Sequence, residues 1–319
     1  MKHARQRGIA LLVAIVMFAI ATTVAAAITY NKAMTARRAA ATFTFEQALQ
    51  AGMAAEALAG IVLENNASAQ RTQTNQEWAQ PVGPLEIEGT GVWIQAQLED
   101  LQGRFNLNSI VSWNQQVNDF DVDQHQLAVF QRLLEDNNID KRYADLLRDW
   151  IDPDIAPASQ GGEDTLYLSQ NPPYRPPNTF ITHPSELLAL PGFGAENYAK
   201  LAPHITALPN DVAVNVCTAT GLVLDATRND PANRTEYSLQ DLDVPRENDC
   251  FPMLQPYLDV IGDPNLKNIV ASRVTDKSSW FRLRTHIRVG TAEFVLYSVL
   301  FRDPTDNRVR TVQRSFGSE

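Results

Sequence analysis

The chain has 319 residues, enough for one large domain or two modest ones. Its 44% hydrophobic and 20% charged residues are typical of a globular protein and exclude wholesale disorder, and its slightly negative mean hydropathy excludes a polytopic membrane protein. The 27 basic and 37 acidic residues give a formal net charge of −10. Because this charge repels phosphate backbones, we expect no nucleic-acid partner and favour divalent cations as ligands.

The amino terminus combines a short basic segment, residues 1–8, with an uncharged apolar run over residues 9–28. A helix of this length spans about 30 Å, the thickness of a bilayer core, so the run predicts a membrane anchor or a targeting segment. Two kinds of processing fit it. A conventional signal cut after Ala27 would release the protein, whereas a cut between Gly8 and Ile9 would leave the apolar helix on the mature chain.

Helix-forming residues continue through residues 29–64, where Ala, Leu, Glu and Gln dominate and breakers are few. Phe45, Leu49 and Met53 recur at helical spacing in this stretch. The pattern predicts one helix of about 50 residues, half in a membrane and half packed on a soluble head.

The head alternates between two kinds of pattern. Residues 92–98 and 281–289 alternate apolar and polar side chains, as strands with one buried face do, and Leu127, Phe130 and Leu134 between them recur at helical spacing. We therefore expect an α+β fold in which an all-helical insert interrupts an antiparallel sheet. The predicted boundaries are a first β region at 65–110, the inserted α-helical domain at 111–207 and a second β region at 208–319.

Four carboxylates, Asp152, Asp154, Glu163 and Asp164, surround one loop rich in Gly and Pro. Calcium takes six to eight oxygen ligands from carboxylates and carbonyls, and a loop that folds back on itself can supply both. The spacing differs from that of an EF-hand. On the residues alone, a calcium site and a solvated acidic turn therefore both remain open.

Other motifs predict no chemistry. The five histidines are scattered, and the sequence contains no HExxH, GxSxG or P-loop pattern, so we predict that the protein is not an enzyme. Residues 190–194, Leu-Pro-Gly-Phe-Gly, resemble the turn of a helix-hairpin-helix, which can hold a phosphate. No basic cluster adjoins this turn, so we expect it to be structural.

Several segments together carry a family resemblance. Residues 101–108 read Leu-Gln-Gly-Arg-Phe-Asn-Leu-Asn, residues 149–154 read Asp-Trp-Ile-Asp-Pro-Asp, and residues 161–164 read Gly-Gly-Glu-Asp. Residues 171–178 add Asn-Pro-Pro-Tyr-Arg-Pro-Pro-Asn. With the basic leader ending in glycine, these segments resemble the protein K family of the type II secretion system. Val13 stands where ordinary pilins and pseudopilins have a glutamate, a departure that this family typically shows.

The resemblance implies a pilin-like fold with a large inserted helical domain. It implies cleavage by prepilin peptidase between Gly8 and Ile9, methylation of Ile9, and a single pass through the inner membrane with the C-terminal domain in the periplasm. It also implies calcium in the insert, which we assign to Asp152, Asp154, Glu163 and Asp164. In a periplasmic protein the two cysteines, Cys217 and Cys250, are expected to form a disulfide, two separate buried thiols being the alternative.

The function implied is that of a minor pseudopilin at the tip of the pseudopilus, which initiates or caps assembly and aids the export of folded proteins. The expected partners are the minor pseudopilins I, J and H, the major pseudopilin, prepilin peptidase and, as a further candidate, the secreted cargo. A tip subunit has no neighbour above it whose amino terminus needs neutralising, which fits Val13. The alternative function is a secreted periplasmic or extracellular binding protein with a conventional signal peptide.

Overall fold

The computed structural model describes residues 7–114, 119–230 and 239–317, so residues 1–6 of the predicted leader lie outside the described residues. The helices in chain order are α1 (Arg7–Asn65), α2 (Gln124–Asp136), α3 (Arg142–Ile151), α4 (Asp164–Leu168), α5 (Gly194–Leu201), α6 (Gly221–Arg228), α7 (Leu239–Arg246), α8 (Leu254–Asp259) and α9 (Pro264–Ala271). The strands are β1 (Val82–Ile87), β2 (Val92–Asp100), β3 (Phe105–Asn106), β4 (Val111–Asn114), β5 (Asp119–Val122), β6 (Ile205–Thr206), β7 (Val214–Asn215), β8 (Val274–Thr275), β9 (Trp280–Val289), β10 (Ala292–Arg302) and β11 (Val309–Phe316).

Helix α1 is continuous over 59 residues. Its apolar first part is exposed, and by length and composition it is the one helix among the described residues that could cross a membrane. Its second part buries a row of small side chains against the sheet, namely Ala48, Ala51, Ala55 and Ala59. Because these side chains are small, the helix lies close to the sheet. A Cβ added at Gly52 would lie 2.5 Å from a methyl carbon of Leu296 on β10.

The main sheet has the strand order β1-β2-β9-β10-β11, and all its neighbouring strands are antiparallel. One face of this sheet packs on α1 through apolar side chains such as Leu98, Phe281 and Leu300. Together with α1 and the helical insert, this sheet confirms the predicted α+β, pilin-like fold.

The insert begins and ends at neighbouring points of the sheet. Asp100, the last residue of β2, is the register partner of Phe281 in β9, so the chain leaves and re-enters the sheet at adjacent positions. Residues 101–279 between them, which we call the helical body, have a core of their own. Beyond the predicted end of the insert at 207, residues 208–279, which we assigned to the second β region, contain α6 to α9. These helices of six to eight residues are too short to show a clear period.

A buried carboxylate ties the helical body to the sheet. Asp100 accepts hydrogen bonds from the hydroxyls of Ser278 and Thr218, each at 2.6 Å, and from the Asn215 side-chain amide at 3.0 Å. Burial raises the pKa of Asp100, although these hydrogen bonds oppose the rise. The carboxylate lies where the insert starts, so the network fixes the orientation of the body on the sheet.

The segment 101–108 holds loops together inside the helical body. The Asn108 amide exchanges two hydrogen bonds with the Ile181 backbone, each at 2.9 Å, and also donates to the Leu208 carbonyl at 2.9 Å. Asn106 accepts from the Leu208 N–H at 2.9 Å and donates to the Pro209 carbonyl at 2.6 Å. Both asparagines are buried, so this part of the family resemblance has a structural cause.

Candidate functional site

Three carboxylates converge at the end of helix α3. Asp149 lies in the last turn of α3, Asp152 directly follows the helix as its C-cap, and Glu163 directly precedes α4. One carboxylate oxygen from each of the three lies within 4.8 Å of the others. We call Asp149, Asp152 and Glu163 the acidic site.

Asp149 closes the loop that forms the site. Its fully buried carboxylate accepts hydrogen bonds from the Ala158 N–H at 2.9 Å and the Gly162 N–H at 2.8 Å. A Cβ at Gly161 would lie 2.0 Å from an Asp149 carboxylate oxygen, so no larger residue fits there. The glycines of the sequence motif thus allow the loop to fold back over the end of α3.

The acidic site has more negative charge than its surroundings neutralise. Arg148 lies 3.4 Å from one oxygen of Asp152 and 4.0 Å from Asp149. The C-terminal end of α3 adds partial negative charge. Burial and then the neighbouring carboxylates raise the pKa of Asp152 to about 6 and that of Glu163 to about 7. Burial raises the pKa of Asp149 as well, despite its backbone hydrogen bonds.

Two oxygens of the acidic site have no hydrogen-bond partner among the described residues. They are Oδ1 of Asp152 and Oε1 of Glu163, and both are buried. A buried polar atom without a partner costs about 1–3 kcal/mol, so such atoms need a ligand, a proton or water. Hard carboxylate oxygens suit a calcium-like cation, and the residues present fit that group.

The acidic site overlaps only partly with the sequence prediction. Of the four predicted calcium ligands, Asp152 and Glu163 belong to it. Asp154 instead accepts a hydrogen bond from the Ala156 N–H at 2.6 Å, and Asp164 lies 3.5 Å from Arg175 at the surface. The predicted ligands did not include Asp149, because its place in the site depends on how the backbone of residues 158–162 folds back onto its carboxylate.

The two cysteines are bonded to each other, as expected. Cys217 and Cys250 are buried, with Cα atoms 4.7 Å apart. Arg246 supports the same junction, because its guanidinium donates to the carbonyls of Val216 at 3.0 Å and Phe251 at 2.7 Å. The bridge joins the segment after β7 to the loop before α8, both inside the helical body.

The remaining predicted positions lie on α1 and in the turn at 190–194. The backbone at Gly8 and Ile9 is helical and continuous with the rest of α1, and Val13 faces outward. The turn at 190–194 buries Leu190 and Phe193, whose ring centroid lies 5.0 Å from that of Tyr143. Packing therefore explains this turn, and the absence of nucleic-acid binding stays a prediction.

The chain is similar in sequence to proteins K of the type II secretion system. A family model described as type II secretion system protein K matches residues 103–210. A type II secretion system protein K from Klebsiella pneumoniae is 34% identical over 68% of this chain and 68% of its own length. The protein of the same name from Pectobacterium carotovorum is 28% identical over 99% of this chain and 98% of its own.

A solved structure has a similar fold. It is the crystal structure of the GspK-GspI-GspJ complex from the type 2 secretion system of enterotoxigenic Escherichia coli, of which one chain matches with a TM-score of 0.69 at 23% identity. The match covers 88% of this chain and 100% of that one.

Proposed function

The chain belongs to the protein K family of the type II secretion system and is a minor pseudopilin of that system, and from this premise we propose that it occupies the tip of the pseudopilus. There it would initiate or cap assembly and so aid the export of folded proteins. Family membership does not favour the alternative of a released binding protein. The family is structural, and we propose no catalytic role.

The position of the helical body is the observation that best supports a location at the tip. The body begins directly after Asp100. Leu98 and Phe281, at this end of the sheet, pack with Ala59 and Leu63 near the end of α1 that is farthest from the apolar segment. A helical filament stacks its subunits in short steps along the axis. A body of this size at the far end of the helix would collide with a subunit placed above it, so the top of the filament is the position that accommodates it.

The exposed side of α1 supports assembly with other pseudopilins. Met53, Leu58 and Ile61 lie on the part of the helix that packs on the sheet, yet their side chains are 43%, 59% and 54% exposed. They form an exposed apolar face beyond the expected membrane, separated from the first part of α1 by a more polar stretch that includes Lys32, Arg37 and Arg38. This exposed apolar face suits packing against other helices of the same kind. We propose that it binds the minor pseudopilins I, J and H and the major pseudopilin.

The amino-terminal steps follow from the same proposal. Prepilin peptidase would cut between Gly8 and Ile9, and the new terminus at Ile9 would be methylated. The apolar segment 9–28 would then hold the protein in the inner membrane with the head in the periplasm. Contact with cargo is part of the proposal only as a candidate role.

The proposal includes a calcium ion bound in the acidic site. The acidic site supplies three carboxylates, and two of them have a buried oxygen that no group in the described part of the chain hydrogen-bonds. A bound calcium ion would neutralise this charge and brace the loop between α3 and α4. Asp154 and Asp164 stay candidate ligands through the same loop.

Substitution on the exposed helix face tests the assembly role. We expect the double variant Leu58→Glu/Ile61→Glu to lose co-purification with the other minor pseudopilins and to stop secretion by the native bacterium. Val312→Glu is the matched control, because Val312 is an apolar residue that is 55% exposed on β11 rather than on the helix. Normal secretion and co-purification in the double variant would contradict the proposal.

A further inference from the structure

The face of the main sheet that points away from α1 has a row of basic side chains. Arg284, His286 and Arg288 alternate along β9 with inward-facing residues, and we call these three the basic row. His286 and Arg288 are exposed and Arg284 is half-buried. In a chain with a net charge of −10, such a local concentration of positive charge is unusual.

The arginines of the row stack on aromatic rings rather than pair with carboxylates. Arg284 lies 5.9 Å from the centre of the Tyr297 ring, and Arg288 lies 5.4 Å from that of Trp93. Within the described residues, neither arginine has a carboxylate within 4.0 Å, and Nε of Arg284 is buried without a hydrogen-bond partner. Stacking orients each guanidinium while its donors stay available for an anion.

The strands beside the row are neutral near its centre. The register partners of Arg284 are Gln97 and Tyr297, and those of His286 are Gln95 and Val295. Both glutamines are exposed and can bond to a peptide backbone. Arginine, tyrosine and tryptophan are also the residue types that dominate binding energy at protein interfaces.

We propose that the basic row is a docking surface for an acidic segment of a partner protein. Alternate residues of a strand lie about 7 Å apart, and alternate carboxylates of an extended peptide have the same spacing. An extended segment with Asp or Glu at every second residue therefore matches the row. This inference concerns a different surface from the exposed face of α1, and it rests on the proposed function only where membrane lipids are excluded as the occupant.

Position and charge argue against two other anionic partners. Phe294, at the end of the sheet nearest the membrane, contacts Phe45, and the 17 residues of α1 from Ile28 to Phe45 rise about 25 Å. Charge interactions fall off within about 8 Å at physiological salt, so the row lies beyond the reach of lipid headgroups.

Carboxylates lie at both ends of the basic row. Glu293 is the register partner of Arg288, and Glu99 accepts a hydrogen bond from Arg282, so these carboxylates would repel a long polyphosphate.

Peptide binding by the full-length protein in non-ionic detergent tests the proposal. The probe is a fluorescent peptide in which Glu and Thr alternate, and its binding is followed by anisotropy. We expect salt-sensitive binding, none to the matching Gln-Thr peptide, and at least about tenfold weaker binding for the double variant Arg284→Gln/Arg288→Gln. The control Lys141→Gln/Arg308→Gln removes two exposed charges elsewhere and should bind like the wild type.

Two results would overturn the proposal. One is a double variant that is folded, by circular dichroism, and binds the acidic peptide as tightly as the wild type. The other is failure of the peptide to bind while phosphatidylglycerol vesicles or single-stranded DNA bind through Arg284 and Arg288.

Discussion

The helical body and the layer formed by α1 and the sheet differ in how much of its apolar surface each region buries in its own core. The body has a large core that contains aromatic side chains such as Phe105, Phe130 and Tyr167. The layer has two small apolar clusters, to which α1 contributes mainly alanines. The body is thus built to be stable alone, whereas the layer leaves a long helix uncovered for other subunits.

Removing a core ring from the body should give the largest effect. Phe130 is fully buried and stacks on Phe105, with ring centroids 5.8 Å apart. We expect Phe130→Ala to lower the free energy of unfolding by about 3–5 kcal/mol, because it leaves a cavity. Denaturant unfolding checks this value. Phe43→Ala, at a site 65% exposed on α1, is the control and should change little; an equal loss in both variants would break the comparison.

Loss of the disulfide should come next. The bridge closes a loop with a sequence separation of 33 residues, and the chain-entropy model gives about 3–4 kcal/mol for a loop of this length. The double variant Cys217→Ala/Cys250→Ala should therefore unfold at a lower denaturant concentration. Limited proteolysis should find new cuts within the body and none between α1 and the sheet; cuts of the second kind would contradict a local role.

Calcium should stabilise the body but not the layer. Ligand present at a hundredfold excess over its dissociation constant adds about 2.7 kcal/mol to the folded state. We expect calcium to raise the unfolding midpoint of the wild type and to have no effect on Asp149→Asn/Asp152→Asn. Asp306→Asn, in the turn before β11, is the control. A calcium response that survives in the acidic-site variant would refute the assignment.

An ion pair between the buried Glu56 and the partly exposed Arg314 helps to hold the layer together, and its loss should have a somewhat smaller effect. Glu56 on α1 accepts hydrogen bonds from Arg314 at 2.6 and 2.8 Å and from the Ser298 hydroxyl at 2.6 Å. Burial opposes its ionisation, but these hydrogen bonds outweigh burial and lower the pKa of Glu56. Glu56→Gln should cost about 1.5–3 kcal/mol, measured by thermal unfolding.

The pH dependence of the Glu56 pair gives a second readout. Because the pKa is lowered in the folded state, its stabilisation is present above the ordinary value of 4.5 and is lost as pH falls through the folded pKa. The wild type should therefore lose its advantage over Glu56→Gln in acid. An advantage that persists unchanged at pH 3 would show that packing, not charge, is responsible.

The acidic site should respond to pH in the opposite direction. Without calcium, the pKa of Glu163 is raised to about 7 and that of Asp152 to about 6, so protonation favours the folded state. Stability of the calcium-free protein should rise as pH falls from 8 to 5. Asp152→Asn/Glu163→Gln should flatten this rise, and a fall in stability over that range would contradict the raised pKa values. In saturating calcium the rise should vanish, because protons then compete with the ion.

The same two regions differ in what the sequence could predict. The layer was predictable because its patterns are long: β9 alternates over ten residues and α1 runs for 59. The second half of the helical body was not, because α8 has only six residues and its packing depends on distant partners. The acidic site was half predictable, since its loop is contiguous in sequence, whereas the inclusion of Asp149 depends on how residues 158–162 fold back over α3.

The central claim is that α1 stays on the mature protein as a membrane anchor and assembly helix. Intact mass and amino-terminal sequencing of the protein from native membranes test it most directly. We predict a methylated Ile9 at the terminus, as produced by prepilin peptidase. A terminus at Ile28 would mean that the apolar segment is removed and would contradict the account.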